Sequence, residues 1–597
     1  MKKIKDMFAN QAYMIKKTWE FSKSFLIFKV ALAILSGIVP TINVYLVKVM
    51  IDKIVDYNLE ESFVMIGIIF IIDIGYILIR TAIGRAIGVK QDLFRNALLF
   101  DLHQKTVNMD SAIIFTPEMT QKKEMATRVA ADNIATKYLD STLAFFSAII
   151  SIISLGYVLL YVSPYIYLVI LIMSILKIVT IINDKKLRFN NSIDMAPLNT
   201  RITYYMTMLS DEKYADDMRM YSISNWTLGK YKKIVKDSHN LFKRLLNKTF
   251  RNSTARSVIS SIENAIFYIF LALQMVFNGL SFANFSMTLS ALRTVSNSIG
   301  NIANNVIELG DNSLYMNVYR DYLKTKNKIA IENKGINAKN IMEKEEIFRL
   351  NDVSFSYPGS NINVLQNINL TFEKNKFYVI VGENGEGKTT LTRLLCRLYD
   401  PVSGEILYNN VNIKDVEYRS YRESIGIVFQ DYKYYNLSIA ENVAIDKYDN
   451  SEEVRVKIYE CLCLAGLKSK IDSLPKGIDT ELGRIFDEEG VLLSGGEIQK
   501  IALARMLFQD SPIVILDEPS SALDAFAEDD LIRTFNNSLR GKTVFYISHR
   551  LSVAKYADKV LYLHNHKIEG FDTHENLMLN CPQYERMYNV QAKHYTE

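Results

Sequence analysis

The side chains best suited to chemistry crowd into one stretch, Val381-Gly-Glu-Asn-Gly-Glu-Gly-Lys-Thr-Thr390. Within it Gly382, Gly387, Lys388 and Thr389 fit the phosphate-loop pattern G-x-x-x-x-G-K-[ST], with Glu383, Asn384, Gly385 and Glu386 as the body of the loop and Thr390 behind it. Glycines let a backbone wrap closely around phosphate oxygens, and a helix starting at the loop adds free N–H groups and a positive dipole end. Lys388 supplies a charge for the β- and γ-phosphates, and the Thr389 hydroxyl a ligand for Mg²⁺. The chemistry is that of a nucleotide site.

Such a loop works only between a strand and a helix, and the flanks supply both. Phe377-Tyr-Val-Ile-Val381 is an apolar, β-branched and aromatic run that reads as a buried strand, and Leu391–Leu398 reads as a helix with one apolar side. Strand-like Ile347–Leu350 and Val353–Tyr357 precede the loop, closed by a Pro358-Gly359 turn. After it come Ile425–Gln430, Leu493-Ser-Gly-Gly-Glu497, Ile513–Glu518 (a buried strand ending in two carboxylates), Ser521-Ala-Leu-Asp524 and Thr543–Arg550. Strands alternating with helices around a phosphate loop predict an α/β domain with a largely parallel sheet.

At 597 residues the chain exceeds one core. A net charge of +5 is small for that length and implies no nucleic-acid partner. The long apolar runs all lie before about residue 310, giving about six spans of membrane-crossing length: Phe25–Val47, Phe63–Ile83, Thr142–Val162, Tyr165–Ile182, Ser257–Phe277 and Phe282–Val306. Lys2, Lys3, Lys5, Lys16, Lys17 and Lys23 precede the first span, whereas Asp52, Asp56, Glu60 and Glu61 follow it. The positive-inside bias therefore puts the N-terminus, both long loops and the C-terminal half in the cytoplasm. Met1-Lys-Lys-Ile-Lys5 is not followed by a short apolar core and cleavage site, so no cleaved signal peptide is expected. The domains expected are a cytoplasmic N-terminal segment at 1–24, a six-helix membrane domain at 25–325, a linker at 326–345 and the soluble domain at 346–597.

Asp73, Lys177 and Glu263 sit inside spans, where charges face a bundle interior or a wet cavity. In the sixth span Ser290, Thr294, Asn297, Asn301, Asn304, Asn305 and Glu308 share one helical face, with Leu292, Val295, Ile299, Ile302 and Val306 opposite. Thr294, Asn297, Asn301 and Asn305 are the expected substrate pathway. The four cysteines, Cys396, Cys461, Cys463 and Cys581, have no zinc-type spacing and read as buried, inert thiols. None precedes Cys396, which excludes an N-terminal cysteine-protease domain.

Taken in order, these motifs resemble the ATP-binding cassette (ABC) family, specifically exporters with six spans fused ahead of one cassette. The resemblance implies a type I exporter-like helical membrane domain followed by an α/β phosphate-loop NTPase cassette. It also assigns roles. Tyr357 is similar to the aromatic that stacks on adenine, Asp517 to the acidic Mg²⁺ ligand, and Gln430 to the glutamine linking that ion to the membrane domain. Ser494, Gly495, Gly496 and Glu497 resemble the signature that closes over ATP bound to a partner cassette, and Asp524 joins the ATP-site set. Glu518, directly after the metal ligand, is placed to polarise the attacking water, and His549 at a strand end to bond the γ-phosphate.

Two positions depart from the family pattern: Glu386 replaces a small residue in the loop, and Glu497 stands where glutamine is commoner. Pro117–Lys122 and Ser222–Leu228 resemble coupling helices. Met218–Trp226 and Leu482–Asp487 are similar to stretches in exporters of antimicrobial and other ribosomal peptides. The expected function is ATP-driven export of a peptide across the cytoplasmic membrane by a dimer, a homodimer or a heterodimer. The alternatives are a lipid or drug exporter, or an ATP-gated channel or membrane regulator, against which intact Glu518 and His549 argue.

Overall fold

The computed structural model describes residues 2–159, 164–327, 329, 335–360, 362–519 and 539–596. Two compact units emerge. One comprises Met1–Gln104 with Lys122–Lys324, the other Lys105–Gln121 with Thr325–Glu597.

The first unit is helical: α1 (Lys2–Phe21), α2 (Lys23–Val55), α3 (Leu59–Val107), then, after α4 (Ser111–Ile114), α5 (Pro117–Ala131), α6 (Ile134–Leu159), α7 (Pro164–Ser210), α8 (Ala215–Met220), α9 (Ser224–Asn278) and α10 (Phe282–Lys324). Ser22 caps α2 by accepting the Phe25 amide, and Gly279 ends α9 in the left-handed conformation that glycine tolerates. Large apolar side chains point outward along the long helices, with Phe63 71% and Ile71 69% exposed, which in water would be unfavourable and in lipid is the stable arrangement. Among the described residues five helices, α2, α3, α6, α7 and α9, are long and apolar enough to cross a membrane. The sixth expected span lies in α10, whose serines and asparagines keep it out of that set on composition.

Pairing between these helices is polar at chosen points. A seam of small residues joins α2 to α6: a Cβ on Gly37 would lie 2.9 Å from the Ser147 carbonyl, the Ser36 and Ser147 hydroxyls are 3.0 Å apart, and those of Thr41 and Ser154 2.7 Å. Between α7 and α9, Arg256 bonds Asp184 at 2.9 Å and Thr180 at 3.1 Å. Deeper in the same pair Lys177 meets Glu263, and Ser296 of α10 joins both, accepting from Lys177 at 3.0 Å and donating to Glu263 at 2.8 Å. Asp73 accepts from Asn43 at 2.6 Å, tying α3 to α2. The N-terminal segment is itself a helix, α1, held by Asn10, which donates to Ser313 at 2.8 Å and accepts from Arg320 at 2.6 Å.

The second unit is built on two sheets. The larger has β10 (Lys567–Asp572), β9 (Lys559–His564), β3 (Phe377–Val381), β8 (Thr543–Ile547), β7 (Ile513–Asp517) and β6 (Ile425–Val428) in that order, parallel except for β10. A smaller antiparallel sheet orders β2 (Leu365–Glu373), β1 (Glu346–Phe355), β4 (Ser403–Tyr408) and β5 (Val411–Asn412). Residues of β7 and β8 are buried throughout, which is why both read as unbroken apolar runs. The loop segment Lys105–Gln121 belongs here: Ala112 of α4 packs on the core, and Asp110 accepts the Ile329 amide at 2.9 Å. The centre of that segment is α4, slightly ahead of the Pro117–Lys122 run expected from sequence. The Ser222–Leu228 run covers the break between α8 and α9, with Trp226 exposed.

Candidate functional site

Parallel strands expose their C-terminal ends on one side of a sheet, and ligand sites form there. Strand β3 runs into the phosphate loop, and α11 (Lys388–Leu395) leaves it with Gly387 as N-cap. Two glycines are obligatory. A Cβ on Gly382 (φ +153°) would lie 2.5 Å from the Leu563 carbonyl, and one on Gly387 (φ +98°) 2.7 Å from that of Val364. Lys388 is buried and folds over the loop, its Nζ donating to the carbonyls of Gly382 and Glu383 at 2.8 Å each. Burial pulls the Lys388 ammonium below its ordinary pKa, against the opposing pull of Glu518, Asp517 and Glu386.

Strand β7 delivers the two carboxylates. The Thr389 hydroxyl donates to Asp517 Oδ1 at 3.4 Å, while Asp517 Oδ2 is buried with no hydrogen-bond partner among the described residues. Burial raises the Asp517 pKa to about 6. A buried carboxylate oxygen left without a donor, beside a threonine hydroxyl, fits a hard cation such as Mg²⁺.

Glu518 holds φ at +52°, uncommon for a residue with a side chain, and is fixed by its amide bonding to the Ile547 carbonyl at 3.0 Å. Its two oxygens are both engaged. Gln430, just past β6, donates to Oε2 at 3.0 Å, and His549 Nε2 lies 2.6 Å from Oε1. Three strand ends thus converge on one carboxylate. Tyr357 sits on the other flank of the loop, its hydroxyl 3.0 Å from that of Thr390 and accepting from Arg393 at 3.2 Å, its ring edge-on to Phe355 and Tyr399.

The signature residues bond among themselves. Ser494 N-caps the helix Gly495–Gln509, and Glu497 returns the bond to the Ser494 amide at 2.8 Å, completing a capping box. Lys470 holds the same carboxylate at 3.1 Å. A glutamate in place of glutamine thus keeps the cap and gains an ion pair. Gly495 accepts from the Tyr432 hydroxyl at 3.2 Å, and Gly496 follows in the first turn. Asp524, with Ser521–Asp524, lies outside the described residues.

Sequence reasoning missed Gln499. It is fully buried, and its amide donates to the Pro519 carbonyl, fixing the chain immediately after Glu518. A long amide on the apolar side of the signature helix, between Ile498 and Ile501, was the available signal. Of the cysteines, Cys396, Cys461 and Cys581 are buried and Cys463 partly so; burial pushes Cys396 up to about 12 and Cys461 to about 11, too high for reactivity.

In the helical unit a groove of about 620 Å³ runs between α2, α3, α6 and α10. Asn301, Asn305 and Ser298 line it from α10, facing Lys29, Gln91, Asp140 and a row of serines. Lys29 and Asp140 form an ion pair across it. The other two expected pathway residues lie elsewhere: Thr294 bonds its own helix at the Ser290 carbonyl (2.9 Å), and Asn297 is exposed beyond the groove lining. Opposite them Leu292 and Val295 are buried, although Val306 is exposed.

Comparison with known proteins agrees with this geometry. Residues 365–521 match the ABC transporter family. The chain is 27% identical to the subtilin transport ATP-binding protein of Bacillus subtilis over 96% of its own length and 92% of the relative's. It is 26% identical to the nisin transport ATP-binding protein of Lactococcus lactis subsp. lactis, covering 96% and 95%. The structure of a bacterial Atm1-family ABC exporter with ATP bound superposes with a TM-score of 0.78 at 20% identity, over 96% of this chain and 98% of that one.

Proposed function

We propose that the chain is an exporter of the ABC transporter family, with its membrane domain fused ahead of one ATP-hydrolysing cassette, and that its cargo is a peptide of the bacteriocin type. The observation that carries the cargo reading is the groove in the helical unit. Its asparagine amides, serine hydroxyls and single ion pair suit a chain of backbone amides better than an acyl tail. Relatives named for the transport of subtilin and nisin match over nearly the whole chain and point the same way.

Two copies, identical or paired with a related chain, complete the machine. Gly382–Thr390 and Tyr357 of one cassette cradle ATP, and Ser494, Gly495, Gly496 and Glu497 of the other close over it, with Asp524 beside the sandwich. Thr389, Gln430 and Asp517 would hold Mg²⁺, which when bound would neutralise phosphate charge. Glu518 accepts the proton of the attacking water, Gln430 and His549 fix its rotamer, and His549 reaches the γ-phosphate when ATP replaces the contacts of Lys388 with its own loop. The cassettes and N-terminus face the cytoplasm, since the lysines that precede α2 anchor that side.

The pathway residues make a periodic claim. With the native cysteines replaced, single cysteines at Asn297, Asn301 and Asn305 are expected to react with a membrane-impermeant thiol reagent. Those at Leu292 and Val295, in a dry core, react at least about ten-fold more slowly. Bound peptide protects Asn301 and Asn305 selectively. Equal labelling on both faces, or none on the polar face in any nucleotide state, assigns the asparagines to helix packing instead.

A further inference from the structure

A carboxylate in a phosphate loop is electrostatically unfavourable unless its side chain is turned away, and Glu386 is turned away. Its Oε2 accepts the backbone amide of His566 at 2.8 Å, with the carboxylate largely buried. Asn565 and His566 are the two-residue turn between β9 and β10, both left-handed at φ +49° and +64°, a type I′ hairpin geometry. The turn is itself anchored, because the His566 carbonyl accepts the Gln366 amide of β2 at 3.0 Å. The hairpin also touches the start of the loop, where the Leu563 carbonyl occupies the space beside Gly382. The loop is therefore held to one hairpin at both its first and its fifth residue, and β9 is hydrogen-bonded to β3, the strand from which the loop springs.

We propose that Glu386 is a positioning residue that braces the phosphate loop against the β9–β10 turn, so that the unusual glutamate raises ATP affinity through the shape of the cradle. The inference rests on the reading of Gly382–Thr390 as the ATP site. The brace needs an acceptor of this reach and has no need of a charge. A glutamine offers the same carbonyl oxygen at the same distance, an aspartate keeps the charge but falls short by one methylene, and an alanine lacks both.

Five forms of the full-length protein in lipid nanodiscs separate the possibilities: wild type, E386Q, E386D, E386A and H566G, each measured for equilibrium binding of a non-hydrolysable ATP analogue and for KM and kcat of ATP hydrolysis. The brace predicts E386Q within two-fold of wild type. E386D and E386A should both weaken binding and raise KM by about five-fold, the worth of one hydrogen bond, with kcat little changed. H566G, which retains the turn amide, should match wild type. Phosphate repulsion by the glutamate predicts the opposite grouping, with E386Q and E386A alike and tighter than E386D and wild type, and overturns the proposal; so do equal affinities for wild type and the three Glu386 variants. A loss in H566G as large as in E386A assigns the effect to the imidazole, 4.0 Å from the carboxylate, and also overturns it. Should E386A fail to fold, the E386Q and E386D pair still separates the two groupings. Failure of the wild type to bind ATP removes the site reading, a result distinct from every pattern among the variants.

Discussion

Replacing Glu518 by glutamine is expected to lower ATP turnover by about a hundred-fold or more while leaving ATP binding intact, because a positioned general base contributes that much and an amide cannot accept the proton. The change is isosteric. A glutamine side chain can still receive the Gln430 amide at the position of Oε2, and the backbone bond to Ile547 that holds the left-handed conformation is untouched. Removing a negative charge beside the γ-phosphate also favours the bound state, so ATP should persist and trap the paired cassettes. Rapid filtration with labelled ATP and a steady-state phosphate assay on the same preparation measure both quantities. Turnover near the wild-type rate takes Glu518 out of the reaction and returns the site to a binding or gating role.

The second large effect concerns stability. Lys177 and Glu263 pair across α7 and α9 with both side chains almost fully buried, and Ser296 completes the group. Removing one member of a buried pair strands the other charge, at about 3–5 kcal/mol, whereas replacing both by apolar residues of similar volume is often neutral. Glu263→Leu and Lys177→Met are each expected to lose most of the folded, monodisperse protein in detergent. The double variant should regain it. A single variant as stable as wild type means that the pair is hydrated in the working protein; a double variant as damaged as the singles means that the ionic contact itself, not stranded charge, is what the bundle requires.

Much of the cassette was legible because its chemistry is contiguous. Gly382–Thr390, Ile513–Glu518 and Leu493–Glu497 each carry their geometry in a few neighbouring residues, so strand, turn and helix follow from local rules. The helical unit was legible only as spans. Lys177 and Glu263 stood out as charges in apolar runs, but their pairing depends on how α7 and α9 rotate about their axes, which periodicity within either helix leaves open. The same holds for Lys29 and Asp140 across the groove. Helical spacing puts the polar residues of α10 on one face, yet Ser296, off that face, makes the bonds to Lys177 and Glu263, and of the stripe Asn301 and Asn305 line the groove. The direction of the Glu386 side chain is hidden from the sequence for a related reason: it is set by a turn lying 180 residues further along the chain.

The most direct test of the whole account is transport itself. Protein reconstituted so that its cassettes face outward should accumulate a fluorescent bacteriocin-type peptide inside sealed vesicles when ATP and Mg²⁺ are added. ADP should not support it, and vesicles carrying Glu518→Gln should show no more than a single turnover. Peptide accumulating equally in the wild type and in Glu518→Gln, or equilibrating without ever exceeding the outside concentration, would contradict hydrolysis-driven export and favour a nucleotide-gated channel.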